Sequence, residues 1–360
     1  MGLLDRYVLR TFLLTWLLSA GALLGLITVL DFLGHLDEIG ESAALQGPVA
    51  GQVLRLYGLQ VLFLLATFGP YATLLAGLGT VLLLQRAREW IPMLGAGRST
   101  LRAFLPLYLG AALAAAGIQA VREGVLPSLQ AQREALERRL LNQRPWELAD
   151  LWARGPEDQR LRAGRFLPGG DLAGGPGPSR LQDLELFEIL SDGRDRLTRA
   201  REAVWSGDRW LLEDGWTLVE GAAEEPARAL AVPGLGPQDL FLAYLGRTRP
   251  LDLSSDQLQE LLERDPHHRQ AATLLWASRV APWIHLVLLL LGLPFALRFD
   301  RSSSLEGLGR GLLLCGLFFV ADFLCRDLGG RGVLSPWLAG TAPVLAFAGL
   351  GLLATERLPT

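Results

Sequence analysis

Long uncharged stretches alternate with arginine-bearing ones along this chain, and a middle third of different texture interrupts the alternation. Arg6 and Arg10 precede an uncharged run from Thr11 to Leu30. At about 20 residues the run can cross a hydrocarbon core roughly 30 Å thick. A secretory signal has an apolar core of only about 7 to 15 residues with small residues at its end. Here Ser19 to Ala22 fall in the middle, so the run reads as a retained anchor. The segment Asp31 to Arg55, with Gly40, Gly47 and Pro48, reads as a polar connection containing turns. Leu56 to Gln85 is then uncharged over about 30 residues, too long for an untilted span. Gly69-Pro70 near its middle predicts a kink or an interfacial turn, because proline removes a helical hydrogen bond. An arginine-rich segment, RAREWIPMLGAGRSTLR at 86–102, separates this run from Ala103 to Val121, whose alanines and glycines suit packing against another helix.

Arg122 to Arg279 is a polar insertion. It opens with a helical stretch, Leu129 to Leu141, and contains a Gly/Pro linker from Pro168 to Ser179. Three short apolar runs follow, Leu184 to Leu190, Leu197 to Trp205 and Trp210 to Val219. Ser191-Asp192-Gly193 and Ser206-Gly207-Asp208 separate them, which is the pattern of a β-meander. An all-β domain of about 150 residues is large enough to bury its own core. Ser254 and Ser255 ahead of Leu258, Leu261 and Leu262 predict a capped helix near Ser255 to Leu275. Three further spans are expected at Val280 to Leu297, Leu308 to Leu328 and Val333 to Thr355. Asp322, Arg326 and Asp327 each cost roughly 2.5 to 3.5 kcal/mol at a bilayer centre, so they belong toward one end of their span. Asp322 and Arg326, four apart, can pair on one helix face. The expected fold is a polytopic α-helical membrane protein with six transmembrane helices, 3+3, around an inserted all-β domain. Its divisions are 1–122, 123–278 and 279–360.

Charge sets the orientation. Arg86, Arg88, Arg98 and Arg102 outweigh Glu89, and Arg298, Arg301 and Arg310 outweigh Asp300 and Glu306, so both loops are expected in the cytoplasm. Six spans then put both termini inside and the β domain outside. The 360 residues are 50% hydrophobic and 20% charged with a net charge of -3. This balance lacks the basic field that nucleic acid requires. Cys315 and Cys325 share one apolar run and form neither a disulfide framework nor a metal spacing. Asp31, His35, Asp37, Glu38 and Glu41 lack a second cluster at ligand spacing, so no metal site is expected. None of His35, His267, His268 and His285 stands in a hydrolase motif, so no catalytic residue or cofactor is assigned. There is no GxxxxGK[ST] phosphate loop, so vectorial work must draw on another subunit's nucleotide hydrolysis.

Several segments in order carry a resemblance. LDRYVLRTFLLTW and LDFLGHLDEIG open the chain, and FGPYATLLAGLGTVLLLQRAREWIPMLGAGRSTLRAFLP follows. LTRAREAVWSGDRWLLEDGWTL lies in the insertion, and VAPWIHLVLLLLGLPFALR and GRGVLSPWLAG come after it. Together they resemble the lipopolysaccharide-export permease family, LptF/LptG type, over nearly the whole chain. The resemblance implies a lipid permease, an inner-membrane subunit that pairs with a second one, a paralogue or another copy of itself. The alternative is an ABC-coupled mechanical scaffold without lipid cargo, and a lipid-sized cavity between the three-helix halves of two subunits discriminates them. A cytoplasmic ABC ATPase dimer would drive the permease, which would hand lipopolysaccharide through a periplasmic jelly-roll domain to a jelly-roll bridge protein. The coupling loop would comprise Arg86, Arg88, Glu89, Gly95, Ala96, Gly97 and Ser99, with Glu89 pairing to a basic residue of the ATPase. Trp90 and Pro92 depart from the family's usual residues. The lipid path would involve Leu186, Trp205, Trp210 and Trp216, with Asp31 and His35 where one branch of the family carries a basic residue.

Overall fold

The computed structural model describes residues 2–89, 92–93, 100–141, 147–156, 158–170, 172, 177–297 and 304–356. In chain order the helices are α1 (Leu3–Gly34), α2 (Leu36–Gln46), α3 (Ala50–Arg86), α4 (Thr100–Ala120), α5 (Leu126–Leu140), α6 (Pro237–Thr248), α7 (Ser255–Arg264), α8 (Arg269–Leu297), α9 (Ser304–Gly330) and α10 (Pro336–Thr355). A π-helical turn, Val121–Val125, joins α4 to α5. The chain divides into two compact units. The first holds Met1–Leu33, Gln60–Leu126 and Ala272–Thr360, and the second Gly34–Leu59 and Pro127–Ala271.

The first unit is helical. By length and composition, five described stretches can cross a membrane: Leu3–Gly34, Ala50–Arg86, Arg102–Leu140, Arg269–Pro294 and Pro336–Thr355. The expected span Leu308 to Leu328 is helical within α9 but is not among those five. The helix α3 continues through Pro70. Apolar side chains gain little by leaving lipid for a helix interface, so close packing and polar contacts hold such helices together. The core joins Phe12 of α1, Leu74 and Leu78 of α3, Phe104 of α4, Leu288 and Leu289 of α8, Phe318 of α9 and Phe347 of α10. Phe318 and Phe347 meet edge to face at 5.2 Å. Gly340 lets α10 touch the α8 backbone: a Cβ there would lie 2.8 Å from Ala277 N and 2.9 Å from Thr273 O. Of the five stretches α1 is the least buried, at 17% of its apolar window against 50% for α3, so most of its surface lies outside the chain's own core.

Asp322 and Arg326 form the expected pair, with oxygen–nitrogen distances of 3.0 and 2.8 Å. A second polar set is buried apart from the half-buried Trp16. Trp16 Nε1 donates to Thr73 Oγ1 at 3.0 Å, and Thr73 Oγ1 lies 2.8 Å from His285 Nδ1. Thr15 and Thr80 hydroxyls meet at 2.7 Å. These contacts tie α1, α3 and α8 together at about 1 kcal/mol or less each.

The second unit contains an antiparallel sheet of β1 (Leu148–Arg154), β2 (Arg160–Leu167), β3 (Arg180–Ile189), β4 (Asp195–Trp205), β5 (Trp210–Glu213), β6 (Trp216–Val219), β7 (Glu225–Pro226) and β8 (Ala229–Leu230). Pairing runs β1-β2-β3-β4-β5-β8, with β6 between β4 and β7. The expected run Trp210 to Val219 lies along one edge of β4 in a single register, interrupted where Asp214 takes φ 52°. Both expected turns form, with Gly193 at φ 84° and Gly207 at φ 106°. Strands β1 and β2 were not anticipated. In β2 the exposed Arg160, Arg162 and Arg165 alternate with buried Leu161, Ala163 and Phe166, so the arginines mask the period-two signal. The helix α6 packs on β1 and α7. Ser254 caps α7 as expected, in a capping box with Gln257.

The segment Asp31 to Arg55 is not a loop with turns but mostly helix. In α2 and the start of α3, Ile39, Ala43 and Val53 pack on Val49, Leu56 and Leu140, and Ser42 Oγ donates to Leu140 O at 2.7 Å. Its acidic face reads as a solvated loop, and the partner that turns it into a helix lies about a hundred residues downstream. The sheet is fastened to α5 through a buried carboxylate. Glu134 accepts from Arg138 Nε at 2.8 Å and Tyr244 Oη at 3.0 Å, and pairs with Arg249 Nε at 3.0 Å.

Candidate functional site

The C-terminus of α3 carries the candidate coupling residues Arg86, Arg88 and Glu89. Valine and leucine side chains at 81 and 84 anchor this last turn in the core. The chain then leaves the helix through a Schellman turn: Glu89 N donates to Leu84 O at 3.0 Å and Arg88 N to Gln85 O at 3.0 Å. Arg88 occupies the left-handed position, φ 58°, that glycine usually fills. Arg86 and Arg88 project into solvent and Glu89 is half-buried. A donor that sequence reasoning missed reaches it: Tyr7 Oη of α1 donates to Glu89 Oε2 at 2.9 Å. Glu89 O also accepts from Met93 N at 3.1 Å. Gly95, Ala96, Gly97 and Ser99 lie outside the described residues, as does Trp90.

The lipid-path candidates separate. Leu186 and Trp210 are completely buried in the sheet's core, and Trp210 Nε1 donates to Leu235 O at 2.8 Å. Trp205, half-buried, stands 5.0 Å from the Trp210 ring and lines a cavity of about 500 Å³ with Asp208, Pro233 and Asp239. Trp216, also half-buried, lies beneath the Arg199 guanidinium at 5.7 Å. A second cavity of about 390 Å³ is lined by Gln159, Glu188, Arg196, Thr198 and Thr217. Polar groups therefore line both cavities, while the sheet's leucines pack against one another. At the end of α1, Asp31 accepts from Gln60 Nε2 at 3.2 Å. His35 precedes α2 at its N-cap position without a side-chain cap. Among the described residues no His, Cys, Asp and Glu group is arranged to hold a metal ion.

The end of α3 gathers charged groups on a fixed turn. It offers one oriented carboxylate, exposed guanidinium groups and a fixed backbone turn, the elements of charge-assisted recognition. Elsewhere the chain offers apolar helices and an antiparallel sheet. No curated protein matches the chain. The sequence profile of the lipopolysaccharide export system permease LptF/LptG family matches residues 6–357, nearly the whole length, and the chain belongs to that family.

Proposed function

We propose that the chain is one transmembrane subunit of an ABC-type lipopolysaccharide exporter, and that a cytoplasmic ATPase dimer docks on the loop 86–102. In this reading α9 supplies the sixth span, both termini are cytoplasmic, and the sheet unit is a periplasmic jelly-roll. A second permease subunit completes the lipid chamber, and a jelly-roll bridge protein receives the cargo. The observation that carries the coupling role is the Glu89 carboxylate, half-buried and set among exposed arginines at the end of α3, where a Schellman turn fixes its backbone. Gly95, Ala96, Gly97 and Ser99 continue the loop with side chains small enough for close approach to a partner. Lipid passes the outer end of α1 near Asp31 and His35, then the sheet near Leu186, Trp205, Trp210 and Trp216. Each acyl CH₂ taken up there contributes about 0.8 kcal/mol, which substitutes for burial in the bilayer. Because Leu186 and Trp210 are fully packed, the sheet must part its leucines to admit a chain.

Glu89→Ala is expected to reduce ATPase association about tenfold or more, or to release hydrolysis from transport, with membrane insertion unchanged; tenfold corresponds to about 1.4 kcal/mol. Affinity capture of the ATPase and hydrolysis assays in proteoliposomes measure this. Wild-type association together with wild-type coupling in that variant would refute the docking role.

A further inference from the structure

The Tyr7–Glu89 contact has no place in the reading above, and its chemistry is specific. Glu89 stands beside Arg86 and Arg88. A guanidinium holding this carboxylate would cancel its charge. A phenol fixes the carboxylate and leaves the charge in place for an incoming cation. The hydrogen bond is 2.9 Å long and joins residues 82 apart in sequence.

The phenol is itself fixed. Asp5 caps the first turn of α1, accepting from Gly2 N at 2.8 Å. The next residue after Tyr7, Val8, is 1% exposed and Phe12 is 0% exposed. The Phe12 ring fills the space beside Gly110 of α4, where an added Cβ would come within 2.4 Å of it. Tyr7 itself is 45% exposed, so it contributes little to the core and its hydroxyl points at Glu89. On the other side the Schellman turn fixes the Glu89 backbone.

We infer that Tyr7 is a positioning residue for the coupling carboxylate: its hydroxyl holds Glu89 Oε2 so that the charged group is preset for a cationic side chain of the docking ATPase. The inference rests on the docking role of Glu89 proposed above. The same contact links the loop to α1.

The test is a double-mutant cycle on the full-length permease in proteoliposomes with its ATPase, comparing Tyr7→Phe, Glu89→Ala and the double variant. Tyr7→Phe removes one oxygen and keeps the ring. Expected is a loss of about two- to fivefold in ATPase affinity for Tyr7→Phe, a larger loss for Glu89→Ala, and no further loss in the double variant. If Tyr7→Phe weakens docking equally in the Glu89→Ala background, the residue acts through the fold and the inference fails. If Tyr7→Phe binds and couples as wild type while Glu89→Ala does not, the inference fails and the docking role stands. If Glu89→Ala has no effect, the docking role itself fails and takes the inference with it.

Discussion

Trp210 is completely buried, its ring 5.0 Å from Trp205 and its indole N–H donating to Leu235 O. Trp210→Ala removes the ring and leaves a buried carbonyl without its donor, so a loss of about 3–5 kcal/mol is expected. Chemical denaturation of the detergent-solubilised chain measures it; a loss below about 1 kcal/mol would mean the ring is not a core element. Single residues were read unevenly from the sequence. Alternation tells which strand positions face inward, but not whether the inner face is a closed core or an open slit; Leu186 and Trp210, the inward-facing lipid-path candidates, are fully buried. Glu89 was legible as an acidic residue among arginines. Its holder, Tyr7, was not, because nothing local encodes a contact across 82 positions.

At the level of elements, α5, α6 and the segment after it meet around Glu134. Tyr244 donates to Glu134 and accepts from Arg138. Burial raises the Tyr244 pKa from its ordinary 10.0, and the Glu134 charge raises it further against the opposing effect of Arg138. The protonated phenol is therefore favoured in the fold. Its contribution to stability is complete below the unfolded value and is lost as pH rises through the higher folded value. The chain has no lysine, so its strongly basic side chains are all arginine, and it has five tyrosines. Few groups besides the tyrosines and the two cysteines titrate near pH 10. Thermal melts from pH 9 upward should show a decline in stability that is smaller in Tyr244→Phe; an identical decline in both would remove Tyr244 from that linkage. Element boundaries set by turn chemistry were legible: Ser191 to Gly193, Ser206 to Asp208 and the Ser254 cap. Those set by a distant partner were not, as α2 shows, since its helix is stabilised by packing on Val49, Leu56 and Leu140.

For the whole molecule, the run lengths of uncharged residues carried most of the architecture, because crossing a bilayer imposes a length and a polarity that few other folds share. The charges of α9 are paired: Asp322 with Arg326 inside the helix, and Asp327 with Arg331 just past its end. Sidedness is open to a direct check. In a background with both native cysteines replaced, Asp192→Cys in the exposed β3–β4 turn should react with an impermeant maleimide in spheroplasts. Glu356→Cys should react only after permeabilisation. The opposite pattern would invert the proposed topology.

The turn after α3 has a thermodynamic consequence. An arginine in left-handed conformation costs about 1 kcal/mol relative to its relaxed backbone. Arg88 is in that conformation, so the turn that fixes the Glu89 backbone is kept against that cost by its backbone hydrogen bonds. Arg88→Gly would relieve the cost while preserving the turn, an expected stabilisation of up to about 1 kcal/mol.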